Sequence, residues 1–298
     1  MIKNKPVIAI IGGSGLYNLE NINIDKLLTV STPFGNPSDK ILKAKFKKID
    51  VFFLPRHGSN HNISPNKVNY RANIFALKKL GVTDIISVSA VGSLKKIHKP
   101  GDFLLIDQYI DRTINRERTF FDNDIVAHVS LANPISVNLS KLLYKSYKNN
   151  KKLKIGGTYL AIDGPQFSTY AESMLFKSWK CDVIGMTNMP EARLAREAEI
   201  RYASISMVTD YDCWNKYHSD VTVEKVLKIM SNNNIKVQNL LLSFFDYIQK
   251  IKNWDWEDDI YTNLDNSIIT NLSKVNKKSL KRLEPILRRF INKRKTSI

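Results

Sequence analysis

The sequence predicts an α/β fold: one domain built on a central mixed, largely parallel twisted sheet flanked by helices, followed by a C-terminal helical extension. Two patterns predict the sheet. Short β-rich apolar runs alternate with segments of helical periodicity, as strands do with crossover helices. Several runs also end in small or polar residues, and ligands of such sheets sit beyond the carboxyl ends of the strands. A third observation predicts the extension. Around residue 253 the pattern changes to an acidic, aromatic stretch, Asn253 to Asp259, and then to a basic helical one, Leu280 to Ile291. The domain is drawn over 1–252 and the basic, mainly helical extension over 253–298.

In chain order, strands are expected over 7–11, 51–54, 85–89, 103–106, 159–162, 183–186 and 202–208. Helices are expected over 68–80, 137–147, 171–179, 191–197 and 223–248. The first helix sets Tyr70, Ile74, Leu77 and Leu80 near one face, and the last does the same with Val223, Val226, Leu227, Met230 and Ile235. Leu280–Ile291 reads as an amphipathic helix, either solvated, which is the default, or packed on the core or a partner.

Composition narrows the function classes. The chain has 298 residues, 43% of them apolar, enough to bury a core without staples. Two cysteines, Cys181 and Cys213, make no disulfide framework, so a reducing, cytoplasmic setting is expected. No signal peptide is expected, and the apolar run after Pro6 is too short to span a membrane. The net charge of +18 raises the question of nucleic acid. Half of it, ten Lys/Arg against Glu284 alone, lies in residues 271–298. No helix-turn-helix, zinc finger or RNA-reading aromatic motif accompanies it, so nucleic acid is disfavoured as a partner, though binding through the basic tail stays open.

The residues that carry chemistry sit at the ends of the expected strands. The first run ends in Gly12-Gly13-Ser14-Gly15, where glycines let backbone N–H groups approach an oxyanion and a hydroxyl adds a donor. It lacks the third glycine of a dinucleotide fingerprint and reads equally as a tight turn. The second ends in Pro55-Arg56-His57-Gly58, a guanidinium fork beside an imidazole; a surface Arg with a satisfied His reads the same way. Ser89 and Ala90 end the third, and Met186 and Thr187 end the sixth. One phosphate is able to collect all of these ends. Ile162-Asp163-Gly164-Pro165-Gln166-Phe167-Ser168 offers a turn and a ring for a base to stack on, or a core aromatic. The last strand ends in Thr209-Asp210-Tyr211-Asp212-Cys213-Trp214. Two aspartates one residue apart suit a 6-aminopurine, with one giving a proton to N7 and the other accepting from the amine. Two solvated acids at a turn give the same pattern. The histidines form no metal-ligand spacing.

Taken together these segments resemble the purine nucleoside phosphorylase superfamily, and most closely its methylthioadenosine phosphorylase branch. Gly12 to Leu16, Thr32 to Asp39, Pro55 to Gly58, Val68 to Ile74, Pro100 to Asp102, Asp107 to Thr113, Gly164 to Ser168 and Thr209 to Trp214 carry the resemblance in collinear order over about residues 7–245. The tail is read as lying outside it. The resemblance implies a nucleoside phosphorylase-like fold and phosphorolysis of S-methyl-5′-thioadenosine to adenine and 5-methylthioribose 1-phosphate, with inorganic phosphate as co-substrate and no cofactor or metal. It implies that Ser14, Arg56, His57, Ser89, Ala90 and Thr187 bind phosphate. Met186 would meet the ribose hydroxyls, Phe167 the purine and sugar, and Asp210 and Asp212 the adenine edge. Ser168, Val223, Val226 and Leu227 would set substrate choice, and His128 would reach across a subunit interface of a homotrimer. Asp163, Gln166 and Val91 depart from the family pattern (Glu, Arg and Cys). Ser14 and Ser89 replace threonines and keep the donor.

For catalysis Asp210 is the expected general acid. Its pKa must be raised, and burial beside Asp212 is the expected cause. A 6-oxopurine nucleoside or methylthioinosine phosphorylase is the alternative, in which Asn in place of the acids would favour oxo bases.

Overall fold

A computed structural model describes residues 5–16, 22–147, 152–215, 223–251 and 259–295, apart from the side chains of Ser14, 223–228 and Lys295. In chain order the elements are β1 (Ile8–Gly12), β2 (Asn23–Leu28), β3 (Ile41–Phe46), β4 (Ile49–Pro55), α1 (Tyr70–Lys79), β5 (Asp84–Ser93), β6 (Phe103–Ile106) and β7 (Gln108–Asp111). They continue as α2 (Val137–Ser146), β8 (Leu153–Ile155), β9 (Thr158–Ala161), α3 (Tyr170–Ser178), β10 (Val183–Gly185), α4 (Asn188–Glu197), β11 (Arg201–Tyr211), α5 (Val223–Ile248), α6 (Lys277–Arg282) and α7 (Glu284–Lys295). Every apolar run named above forms a strand and every periodic segment a helix, except that Leu280–Ile291, read as one helix, is divided at Leu283 between α6 and α7. Four strands escape the sequence pattern. The residues of β2 are almost all exposed, β3 interleaves lysines with its apolar residues, and β7 and β8 are short and half polar.

The strands form one mixed, eleven-stranded sheet. Its centre is parallel: β4 pairs β1, β1 pairs β5, and β5 pairs β11. The hairpin β2–β3 adds antiparallel strands beyond β4. Alternation along β1 sends Ala9 and Ile11 into one apolar layer with α1, α4 and α7, and Ile8 and Ile10 into the other with α2 and α5.

One irregularity makes room for a site. One edge of β5 pairs β11 from Asp84 to Ser93. The other edge pairs β1 only as far as Ser87 and then β10 from Gly92. Between them Val88, Ser89, Ala90 and Val91 have no strand on that side among the described residues, and the sheet opens there as a fork.

The C-terminal helices are part of the molecule's main core. Leu283, Ile286, Leu287 and Phe290 are buried in the same layer as Ile74 and Leu77 of α1. Arg289 makes paired bonds of 2.6 Å to Glu199 and a third to Asp265, while Lys293 also reaches Asp265. The guanidinium of Arg282 lies 4.7 Å from the Phe34 ring. The basic stretch is amphipathic as expected, but its apolar face is packed and several of its cations are paired, which corrects the default of a merely solvated helix.

Candidate active site

The fork opens into a cavity of about 640 Å³. Arg56, His57, Ser89, Ala90, Phe167, Ser168, Met186, Thr187, Asp210 and Asp212 all line it. Arg56 follows β4 and Asp210 lies in β11, three strand spacings away across β1 and β5, so the two ends of the site are about 14 Å apart along the sheet. Residues drawn from both halves of the chain thus converge on one concavity. The side chain of Ser14 lies outside the described residues, but its neighbours Gly13 and Gly15 line the cavity.

Arg56 is not a surface residue. It is 2% exposed and faces a fully buried Glu191. Nε donates to Glu191 Oε2 at 2.8 Å and Nη2 to Oε1 at 2.9 Å; Nη1 donates to the carbonyl of Val88 at 3.0 Å, inside the fork. Ser87 and Tyr202 donate to the same carboxylate, each at 2.8 Å. Glu191 therefore fixes the fork of Arg56 from behind. It lies four residues past Thr187, the end of the expected Met186-Thr187 tip, and no local pattern in the sequence distinguishes it from a solvated helix glutamate.

Thr187 is the residue before α4, yet its hydroxyl makes no capping bond. Its Oγ1 is buried and unpartnered among the described residues, as are Ser168 Oγ and Asp212 Oδ2. All three belong to residues that line the cavity. Buried polar atoms are nearly always paired, so three such atoms in one concavity mark a place built for a polar ligand. Arg116, which the sequence did not single out, holds the wall behind them. It donates to the carbonyls of Met186, Met189 and Asp163 at 2.8, 2.7 and 2.8 Å. Asp163 in turn accepts from the Ile114 N–H.

The aspartate pair sits where β11 loses register, between Val208 and Asp210. The strand runs to Tyr211, so Asp210 lies inside it and Asp212 just beyond. Gly92 of β5 permits this: a Cβ there would lie 3.0 Å from Asp210 Oδ1 and 3.5 Å from Asp212 Cβ. Burial raises the pKa of Asp210 to about 6, with Asp212 adding and the Thr209 hydroxyl opposing. Burial raises that of Asp212 too. The repulsion of Asp210 by Asp212 expected from the sequence is present, but desolvation is the larger cause. An acid with such a pKa is protonated below about pH 6 and remains close enough to neutrality to serve as a proton donor.

Phe167 is half exposed (50%), at the rim rather than in the core. The side chains of Val223, Val226 and Leu227 lie outside the described residues. Met230 and Asn234, which follow Leu227 at helical spacing along α5, do line the cavity. His128 does not. It is exposed, and its backbone N–H donates to the Ser267 carbonyl at 2.8 Å.

Comparison with known proteins agrees with this geometry. The model of the phosphorylase superfamily matches residues 7–246. The chain is 45% identical over 288 residues to the S-methyl-5′-thioadenosine phosphorylase of Rhodospirillum rubrum, covering 96% of this chain and 98% of the other. It is 50% identical over 249 residues to that of Saccharolobus solfataricus, covering 83% and 90%. The chain belongs to the S-methyl-5′-thioadenosine phosphorylase family of the phosphorylase superfamily. Among solved structures it is similar to a methylthioadenosine phosphorylase from an Antarctic soil metagenomic library, with a TM-score of 0.89 and 40% identity over 96% of this chain and all of that one. It is also similar to a variant of the adenosine/methylthioadenosine phosphorylase of Schistosoma mansoni solved with methylthioadenosine, with a TM-score of 0.80 and 35% identity over 87% and 96%. The Rhodospirillum relative matches nearly the whole chain, so the family likeness extends into the tail, correcting its placement outside the resemblance.

Proposed function

We propose that this phosphorylase cleaves S-methyl-5′-thioadenosine with inorganic phosphate, giving adenine and 5-methylthioribose 1-phosphate. The observation that carries the reading is the meeting, in one cavity, of a carboxyl group whose pKa is raised toward neutrality with a fixed guanidinium and unpartnered hydroxyls. One end suits a leaving purine and the other an oxyanion.

On this reading each end carries one step. As the glycosidic bond stretches, the sugar takes on oxocarbenium character and the base becomes a purine anion. Asp210 gives its proton to N7 and so neutralises the leaving group. Asp212 accepts from the exocyclic amine. Phosphate, held by Arg56 and the Thr187 and Ser89 hydroxyls, sits under the anomeric carbon and bonds to it as the base departs. Fixing the nucleophile in place supplies the entropic part of the acceleration. Met186, Phe167 and Ser168 hold the nucleoside between these ends, and the α5 face with Val223, Val226 and Leu227 takes the methylthio group. The reading assigns no cofactor or metal, because Asp210 and phosphate account for both halves of the displacement. It places the enzyme in the cytoplasm, in purine and methionine salvage.

The same reading makes the enzyme a homotrimer, with His128 reaching a neighbouring site. An exposed apolar strip supports a covered face here: Tyr170, Met174, Leu175 and Trp179 on α3 are each more than 40% exposed or at that value, next to Phe167 at the cavity rim. Light scattering in solution tests it, and a monomer mass would remove it.

The deciding experiment mixes protein, methylthioadenosine and phosphate and follows adenine. Phosphate-dependent release supports the reading, and release without phosphate would make the protein a hydrolase. Because burial also favours a protonated Asp212, which donates to a carbonyl, a 6-oxopurine substrate is the second reading. Equal kcat/KM on methylthioadenosine and methylthioinosine would favour it.

A further inference from the structure

His57 breaks the pattern of donors at the anion end of the cavity. Its Nδ1 lies 2.8 Å from the carbonyl oxygen of Ile63. A carbonyl only accepts, so Nδ1 carries the proton, and in the neutral ring Nε2 is a bare acceptor. Nε2 makes no hydrogen bond among the described residues. The surroundings hold the ring neutral. Burial, Arg56 and His61 together lower its pKa to about 4, and the Ile63 carbonyl and Glu191 only partly oppose them. The His61 ring is 4.8 Å away, centroid to centroid. Glu191 is the other acceptor nearby, but Arg56, Ser87 and Tyr202 already occupy it. Nε2 of His57 is thus left with an unshared lone pair on a residue that lines the cavity.

We propose that His57 selects the anion by its proton: Nε2 accepts the hydroxyl hydrogen that hydrogen phosphate carries and sulfate lacks. The proposal deepens the phosphorolysis reading and rests on it for the identity of the anion end. At pH 8 both anions are doubly charged and similar in size, so neither the Arg56 charge nor cavity volume separates them. The hydroxyl hydrogen does. Hydrogen phosphate satisfies Nε2 with no proton taken from solvent. Sulfate sets oxygen lone pairs against a nitrogen lone pair, unless His57 first takes up a proton. Arsenate, which also carries a hydroxyl at this pH, is grouped with phosphate. A neighbouring donor has no such effect, because hydroxyls and guanidinium treat the two dianions alike.

The test is equilibrium binding of phosphate, arsenate and sulfate to the full chain, by calorimetry or by the ligand-induced rise in Tm. At pH 8 sulfate is expected to bind at least about tenfold more weakly than phosphate, the order of effect of one unmet buried acceptor. Between pH 8 and pH 6 sulfate affinity is expected to rise about tenfold per pH unit, the slope for one proton taken up with the anion. Sulfate binding as tightly as arsenate at pH 8, or an affinity for sulfate independent of pH, would overturn the proposal. In His57→Gln the side-chain amide is free to turn its NH₂ toward the anion, so sulfate is expected to approach phosphate in affinity and lose its pH slope. A folded variant that still discriminates would also overturn it, and if the variant does not fold, the pH series on the unaltered chain decides alone. Adenine release with phosphate, together with equal binding of sulfate, refutes the selection and leaves phosphorolysis standing. Anion discrimination without adenine release does the reverse.

Discussion

Asp210 shows how one residue gains its chemistry from its surroundings. Its folded pKa of about 6 exceeds the ordinary aspartate value of 3.8 because burial penalises the charged form. The free enzyme therefore holds the proton below about pH 6 and loses it above. kcat/KM is expected to fall tenfold per pH unit on the alkaline side of that value, read from a pH–rate profile. Asp210→Asn is expected to lower turnover by about 10²–10⁴, the usual worth of a general acid. The same variant is expected to melt higher by a few degrees at pH 7.5. The native state binds the proton more tightly than the unfolded chain, so wild-type stability declines as pH rises from about 4 to 6. The gap should close below pH 4, which a Tm series in both proteins checks. Glu191 makes the opposite case. Removing it in Glu191→Ala leaves the Arg56 charge buried without a partner, a loss of about 3–5 kcal/mol. Urea unfolding measures this, and KM for phosphate is expected to rise more than KM for the nucleoside. The D-x-D pair and the Arg-His pair were legible because chemistry concentrates polar residues at strand ends. Glu191 and Arg116 were not, because a residue that works by holding another leaves no spacing in the chain.

Elements carry their own signals, and α3 carries a clear one. Thr169 accepts from the Glu172 N–H at 3.2 Å while the Glu172 carboxylate accepts from the Thr169 N–H at 2.8 Å. This reciprocal cap starts the helix directly after Ser168, whose hydroxyl belongs to the cavity wall. Thr169→Ala is expected to cost about 1 kcal/mol, seen as a lower urea midpoint. α5 matches its sequence reading at both ends, but Ile235, which the sequence set on the face of Val223 and Met230, is 60% exposed because it falls off that face at helical spacing. The edge strand β2 and its neighbour β3, which pairs it to β4, were missed for a different reason. An edge exposed to water needs no apolar run, and its lysines keep it from pairing with other chains. β11 extends three residues beyond its apolar run, since pairing with β5 continues to Tyr211 although the residues become polar. The last part of that pairing is what sets Asp210 beside Gly92.

At the scale of the whole molecule the basic tail closes the core. Phe290 is 2% exposed and packs in the layer that holds α1. Phe290→Ala is expected to destabilise the full protein by about 3–5 kcal/mol, measured by denaturant unfolding. The effect should appear in global stability, not in a separate tail transition. The charge count in the sequence pointed to a solvated extension, because composition does not reveal which cations meet Glu199 and Asp265. The sequence by itself determined the α/β class, the order of its main strands and helices, and the residue types at the strand ends, since burial periodicity and turn chemistry are local properties written along the chain. The tertiary structure decided which of those ends share a cavity. The fork between β1 and β10, the carboxylate behind Arg56 and the burial that raises the Asp210 pKa each depend on contacts between segments far apart in the chain, and no local pattern encodes a distance.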